Sequence, residues 1–161
     1  MRKQAKNKGF TLIEILVVIG IIAILATIVL IAINPARQFR QGRDTQRTSN
    51  VNAILNAIGQ YIADNKGNYP AGIDDVVGTN QALSDTGANI CSLLVPKYIP
   101  ALPADPKATG AGADGQIIAS ECEPGDVYDT LYEVNKDADG RITIFADGEE
   151  PAGTNNISVT R

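Results

Sequence analysis

The chain has 161 residues, a formal net charge of −4 and no histidine. Charge is uneven: residues 1–8 carry four Lys or Arg and no acid, whereas residues 50–161 carry six Lys or Arg against sixteen Asp or Glu. Because so acidic a C-terminal part repels phosphate backbones, direct nucleic-acid binding is not indicated. The missing histidine excludes Ser/His/Asp and Cys/His hydrolysis schemes, so no enzyme is predicted. The alternative of a membrane-tethered hydrolase needs a pocket of convergent acids that the sequence does not display.

Residues 10–33 form an apolar run that contains a single acid, Glu14. A helix of this length, at ~1.5 Å per residue, spans a hydrocarbon core of ~30 Å, so we predict a single-pass transmembrane helix. The run is longer than the apolar region of a secretory signal peptide, and no small-x-small cleavage site follows it. The short basic leader and the acidic domain with its cysteines favour a cytoplasmic leader, residues 1–9, and an exported head.

Glu14 is costly so near the start of a membrane helix, at a few kcal/mol. The acid either reaches back to the interface or meets a cation inside the membrane. A cut between Gly9 and Phe10 would supply that cation, a new α-amine four residues from Glu14. Between staggered identical helices the amine and the carboxylate would neutralise each other and select one axial register.

A second helical segment, residues 34–66, follows the apolar run. Pro35 is predicted to break or kink the helix, and Gly67 to cap its end. The segment is amphipathic because apolar side chains repeat at three- and four-residue steps: Ile54, Leu55, Ile58, Tyr61 and Ile62. An arginine stripe precedes them: Arg37, Arg40, Arg43 and Arg47. We interpret it as a contact for lipid headgroups or for neighbouring subunits, or as a solvated helix face.

Residues 67–161 are predicted to form a globular acidic head. A short helix is expected at residues 90–95, and a hairpin turn at residues 137–140. Strands are predicted at residues 116–120, 128–135, 141–147 and 156–160. We therefore predict an α+β fold in which one long N-terminal helix, transmembrane in its first half and amphipathic in its second, packs on a small antiparallel sheet.

The chain has two cysteines, Cys91 and Cys122, and neither lies in a CxxC pair. In an exported domain they predict one structural disulfide; in a cytosolic domain they would be two free thiols. A bridge that closes a loop of about thirty residues contributes roughly 3–4 kcal/mol by the chain-entropy estimate.

Residues 135–140 resemble the start of an EF-hand loop, with oxygen ligands at alternate positions before a glycine. The candidate calcium ligands are Asn135, Asp137, Asp139 and Asp147. The twelfth loop position holds Ala146 rather than the usual bidentate glutamate. The alternative is an ordinary Asp-Gly hairpin turn, and no other cofactor is predicted.

The sequence KGFTLIE at residues 8–14, followed by a long apolar run, resembles the class III signal of type IV prepilins and pseudopilins. The resemblance implies removal of residues 1–9 by a prepilin peptidase and N-methylation of Phe10. It also implies assembly of residues 10–33 into a helical filament, with Glu14 against a neighbour's α-amine and local melting near Pro35 and Gly42. Members of this family also bind calcium through C-terminal acids.

The function that this resemblance implies is structural: a subunit of a type IV pilus-like filament. The expected partners are further copies of the chain, the prepilin peptidase, the pilus or secretion assembly platform and membrane lipid. The subunit is expected to be stored in the inner membrane and then to enter an extracellular pilus.

A second segment favours a different member of the same family. Residues 98–106 look like the Leu-Pro-x-Asp-Pro segment of major pseudopilins of type II secretion, which form a short periplasmic piston. However, Lys107-Ala108 stands where those proteins usually carry Trp-Gly, and the cysteine loop is more like that of a pilin. A pseudopilin is therefore the alternative.

Overall fold

The computed structural model describes residues 9–73, 78–150 and 156–161. The chain divides into two compact units, one ending at Phe39 and the other beginning at Arg40. The first unit contains helix α1 (Leu12–Ile33), which is long and apolar enough to cross a membrane. The prediction of a single apolar N-terminal helix is confirmed.

Helix α1 ends where the sequence predicts a break. Asn34 adopts a left-handed conformation (φ 49°) that closes α1, and Pro35 is the first residue of α2 (Pro35–Asp64). Proline suits that position because the first amides of a helix have no intrahelical acceptor. Helix α2 continues through Gly42 in this structure, and the local melting that the resemblance implies there stays a prediction. One glycine costs a helix only about 1 kcal/mol, and contacts described below hold the following turn.

The second half of α2 provides one wall of the core of the head. It buries Val51, Ile54, Leu55, Ala57 and Ile58. These residues repeat at three- and four-residue steps and therefore lie on one face. After Asp64 the chain turns through Gly67 (φ 90°), whose amide donates to the Ile62 carbonyl. The predicted glycine stop is therefore confirmed.

An antiparallel four-stranded sheet covers this face of α2. Its strands are β1 (Gln81–Ser84), β4 (Asp129–Lys136), β5 (Ile142–Asp147) and β6 (Asn156–Thr160), in the order β1-β4-β5-β6. A small antiparallel pair joins β2 (Leu102–Pro103) to β3 (Gln116–Ile117). Strand β4 buries alternate residues, among them Tyr132 and Val134, as its sequence period predicts. The predicted α+β architecture is confirmed.

Several local predictions change in the structure. The predicted strand at residues 116–120 is only two residues long, because residues 119–121 form a 3₁₀ turn. Strand β1 was not predicted, since four residues that read QALS carry no β-branched or aromatic side chain. The hairpin turn at residues 137–140 is confirmed, with Gly140 at φ 81°.

The disulfide forms between Cys91, in the short helix α3 (Cys91–Leu94), and Cys122, just after the 3₁₀ turn. Both residues are buried in the core of the head. The prediction of one structural bridge is confirmed, and the alternative of two free thiols is wrong for this structure.

Candidate functional site

The start of α1 is fixed by a reciprocal capping box between Thr11 and Glu14. The Thr11 amide and the Thr11 hydroxyl each donate to Glu14 Oε2 at 2.7 Å, and the Glu14 amide donates back to Thr11 Oγ1 at 3.3 Å. These bonds satisfy amides that otherwise lack an acceptor at a helix N-terminus. The structure therefore gives Glu14 a local role within its own helix.

This role of Glu14 was missed at the sequence level, although the signal was present. Residues 11–14 read TLIE, and a Thr followed three positions later by a Glu before an apolar run is a capping-box signature. Gly9 and Phe10 precede the helix outside any helix or strand, and both are exposed. The predicted cleavage junction is therefore accessible, and it lies directly before the cap.

No residue of α1 is buried within the described chain. Its large apolar side chains are each at least half exposed, as at Ile15, Val17 and Ile31. Leaving one such side chain in water instead of burying it costs about 1.5–3 kcal/mol, which sums to tens of kcal/mol over the helix. The surface of α1 therefore requires an apolar environment from lipid or from other proteins.

The head contains a buried ion-pair cluster centred on Arg47, which is only 2% exposed. Arg47 Nε and Nη2 donate to the two Asp105 carboxylate oxygens at 2.5 and 2.9 Å. Arg47 Nη1 donates to Asp44 Oδ1 at 2.8 Å and to Glu149 Oε1 at 2.7 Å. One guanidinium therefore joins α2, the segment after β2 and the turn after β5.

Two further arginines of the predicted stripe bind the same turn. Arg43 pairs with both oxygens of Glu149 at 2.7 and 2.6 Å, and Arg40 Nε donates to Glu150 at 2.5 Å. The amides of Glu149 and Glu150 also donate to the Asp44 carboxylate at 2.9–3.0 Å. Arg40, Arg43 and Arg47 therefore bind acids of their own chain, and Arg47 is buried and not part of a solvated helix face. Contacts of the stripe with lipid or with other subunits stay a prediction.

The cluster shifts the pKa values of its members. The hydrogen bond from Arg43, followed by those from Arg47 and Lys107, lowers the pKa of Glu149 well below its ordinary value despite partial burial. Burial opposes ionisation of Asp44, but the Glu149 and Glu150 amides and the Arg47 guanidinium outweigh it and lower the pKa. Asp44 and Glu149 are therefore ionised throughout the physiological range.

A cleft of about 420 Å³ opens beside the cluster, with Arg47, Asp105 and Tyr132 among its lining residues. Burial raises the pKa of Tyr132 to about 12, and its hydroxyl accepts a hydrogen bond from Asn50 Nδ2 at 2.9 Å. A neutral tyrosine and an ion-paired arginine serve neither as a base nor as a nucleophile.

The predicted calcium ligands are not assembled in this structure. Asp137 accepts bonds from the Arg141 amide and from Arg141 Nε, both at 2.8 Å, within the β4–β5 turn. Asp147 is the last residue of β5, at the opposite end of that strand from the turn. Asn135 faces Thr143 across the ladder, and Asp139 is exposed at the tip of the turn. Within residues 9–73, 78–150 and 156–161 no group of three His, Cys, Asp or Glu is placed to hold a metal ion. Calcium binding stays a prediction.

Comparison with known proteins gives one match, at the N-terminus. Residues 4–30 match the family model of the prokaryotic N-terminal methylation motif. This match covers the Gly9–Phe10 junction, the capping box and most of α1. No curated protein and no solved structure matches the chain significantly.

Proposed function

We propose, from the class III prepilin signal that the chain carries at residues 4–30, that it is a structural subunit of a type IV pilus-like filament. The match supports a protein similar to type IV pilins and pseudopilins, a class that is typically structural rather than enzymatic. The observation that supports the proposal further is helix α1. It is a 22-residue apolar helix with no buried residue, and its N-terminal cap directly follows the predicted cleavage junction.

The mechanism follows from the surface of α1. At ~1.5 Å per residue the helix is ~33 Å long, which matches the hydrocarbon core, so the inner membrane is its storage site. Removal of residues 1–9 by a prepilin peptidase would leave Phe10 as the N-terminus, where methylation follows. The assembly platform would then transfer α1 from lipid to the helices of other copies. The apolar surface of α1 would thereby exchange contact with lipid for contact with other apolar helices.

Glu14 carries two candidate roles, and they are separable. In its own helix it completes the capping box with Thr11, which contributes about 1 kcal/mol to helix stability. Between subunits its charge would attract the Phe10 α-amine of a neighbour and set the axial register. Pairing of the two charges removes the cost of an isolated carboxylate in a low dielectric.

Three variants of the full-length chain distinguish these roles in cells, with sheared surface filaments as the measurement. Glu14→Gln keeps an oxygen acceptor for Thr11 but removes the charge, whereas Thr11→Val removes the hydroxyl but keeps the charge. We expect Glu14→Gln to be cleaved and inserted without forming filaments, and Thr11→Val to form them. Glu14→Ala, which removes both features, should match Glu14→Gln. Normal filaments from Glu14→Gln would refute charge pairing and leave the cap as the only role of Glu14.

Processing has its own test at the junction. Gly9→Val should block removal of the leader, because a branched side chain replaces hydrogen next to the scissile bond. Mass spectrometry of the membrane fraction should then find the chain with its first nine residues. Loss of those nine residues from the Gly9→Val variant would show that cleavage at this junction does not require glycine and would refute the proposed role of Gly9.

The second candidate is a major pseudopilin, which uses the same assembly in a periplasmic pseudopilus. The specific observation in its favour concerns Asp105, the acid of the Leu-Pro-x-Asp-Pro segment. Asp105 is buried and forms an ion pair with Arg47. Electron microscopy of sheared surface material from cells with normal expression decides between them. Long filaments built from this chain support the pilus, and their absence supports the pseudopilus.

A further inference from the structure

The head exposes few large apolar side chains, and those it exposes lie close together in the chain. Among the described residues from Arg40 onward they are Val127 at 77%, Leu131 at 48% and Ile118 at 44% exposure. All three fall within the 14 residues 118–131. Concentrated exposure of this kind marks interaction sites, because scattered single residues are the norm elsewhere on a surface.

The backbone of residues 118–131 is anchored to the rest of the head by a disulfide and by two buried side chains. Cys122 is fastened to Cys91 by the disulfide, and Tyr128 and Thr130 are buried. The Tyr128 hydroxyl donates to Asn89 Oδ1 at 2.9 Å, and the Thr130 hydroxyl donates to the Leu83 carbonyl at 2.8 Å. Such a fixed backbone presents its outward side chains without an ordering cost on binding.

The segment that carries these apolar side chains is acidic in sequence, and Lys107 lines the cleft beside Leu131 together with Asp129 and Glu133. Between Lys107 and Lys136 the sequence has no Lys or Arg but has six acids: Asp114, Glu121, Glu123, Asp126, Asp129 and Glu133. Asp129 lines two clefts. Leu131 also lines the cleft of about 420 Å³ described above, and Val127 lines the other, of about 360 Å³. Val127 and Leu131 each line one of these clefts, so an apolar side chain, an acid and concave surface adjoin on both sides of Asp129, which suits contact with another protein.

The charge decides what that protein is. The same segment of a second copy carries the same acids, and nucleic acid and anionic lipid are negative as well, so none of the three complements the charge of residues 118–131. We propose that residues 118–131 form a docking surface for a basic protein that presents apolar side chains between its lysines or arginines. Val127 and Leu131 would contact the apolar side chains, and Glu123 with its neighbouring acids would attract the cations. This inference does not depend on filament assembly.

The test uses the full-length chain in zwitterionic lipid nanodiscs at low salt, with amide NMR as the readout. The probe is the short peptide Lys-Val-Lys-Ser-Lys-Val-Lys, and its two controls replace every Val by Ser or every Lys by Glu. We expect shift changes confined to residues 118–131 and their neighbours. The serine peptide should bind several-fold more weakly, and the glutamate peptide should not bind.

A matched pair of variants then localises the surface. Glu123→Gln/Val127→Thr removes one charge and one exposed methyl group from it, and should weaken binding about threefold to tenfold. Asp139→Asn/Ala138→Ser makes a comparable change at the exposed tip of the β4–β5 turn and should change binding less than about twofold. Equal effects of the two variants, equal binding of the valine and serine peptides, or shift changes spread over all acids of the head would each overturn the proposal.

Discussion

Arg47 offers the sharpest test of what holds the head together. Its guanidinium makes four hydrogen bonds to three carboxylates at 2.5–2.9 Å. Replacement of Arg47 by Met keeps much of the volume and removes all four bonds. Removal of one partner from a buried ion pair costs about 3–5 kcal/mol, because the other charge stays buried without compensation.

The cost falls mainly on Asp105. Asp44 still accepts the Glu149 and Glu150 amides, and Glu149 still binds Arg43 and Lys107. Asp105 keeps only the Lys107 amide, at 2.8 Å, among its described bonds to Oδ1 and Oδ2. The second substitution Asp105→Asn should therefore recover most of the loss, since a neutral amide still accepts that bond and no longer needs a cation.

The assay is urea unfolding of the full-length chain in detergent micelles, followed by tyrosine fluorescence. We expect Arg47→Met to lower the free energy of unfolding by about 3–5 kcal/mol, a large part of the total of about 5–15 kcal/mol of a typical domain. In a double-mutant cycle the coupling between Arg47 and Asp105 should be about 2–3 kcal/mol. Arg40→Met is the matched control. Its side chain is 37% exposed and pairs with Glu150, so its loss should cost less than about 1 kcal/mol. The reasoning is refuted by a loss below about 1 kcal/mol for Arg47→Met, or by an equal loss for Arg40→Met.

Three further predictions concern the same head. Glu149 has a lowered pKa, so its stabilisation is present above the unfolded value of about 4.5 and is lost as the pH falls toward the folded value. The difference in unfolding free energy between the wild type and Glu149→Gln should therefore be constant from pH 6 to 8 and shrink below about pH 4.5; a difference that grows on acidification contradicts the sign. The double variant Cys91→Ser/Cys122→Ser should lose about 3–4 kcal/mol, measured against the wild type by thermal unfolding, and an unchanged midpoint would contradict a structural bridge. Gly140→Ala places a methyl group 2.5 Å from a tyrosine hydroxyl at φ 81°, whereas Gly67→Ala at φ 90° meets nothing within 4 Å. Gly140→Ala should therefore destabilise by more than the ~1–2 kcal/mol of backbone strain expected for Gly67→Ala, and equal losses would contradict the contact.

Much of the fold could be predicted because its signals are local. The length and apolarity of residues 12–33 predict α1, Pro35 marks its break, and Gly67 marks the end of α2. Period-two alternation predicts β4, and the Asp-Gly turn joins it to the next predicted strand, β5. Each of these signals acts within a few residues, so the sequence carries it without knowledge of the partners.

The arginine stripe shows what could not be predicted. Spacing places Arg40, Arg43 and Arg47 on one helix face, and such a face is normally solvated. Apart from Asp44, which is three residues from Arg47, their acceptors lie 58 to 110 residues away, at Asp105 and at Glu149–Glu150. Nothing in a local window identifies acids at that distance, so only the folded chain shows that Arg47 is buried. The predicted calcium ligands show the same limit. A local stretch of sequence does not reveal that β5 is extended and carries Asp147 to the end of the strand opposite the β4–β5 turn.

The sequence by itself determined the long apolar helix α1, its end before Pro35 and the one acid at its start, because each depends on covalent order and on composition. Tertiary structure decided which charged side chains of the head form ion pairs with each other. Ion pairs form between segments that approach only when α2, β2 and β5 are packed, and a low-dielectric interior makes those pairs specific. In the folded head Arg40, Arg43 and Arg47 therefore pair with acids of their own chain. The exposed apolar side chains of residues 118–131 stay at the surface, in a segment rich in acids.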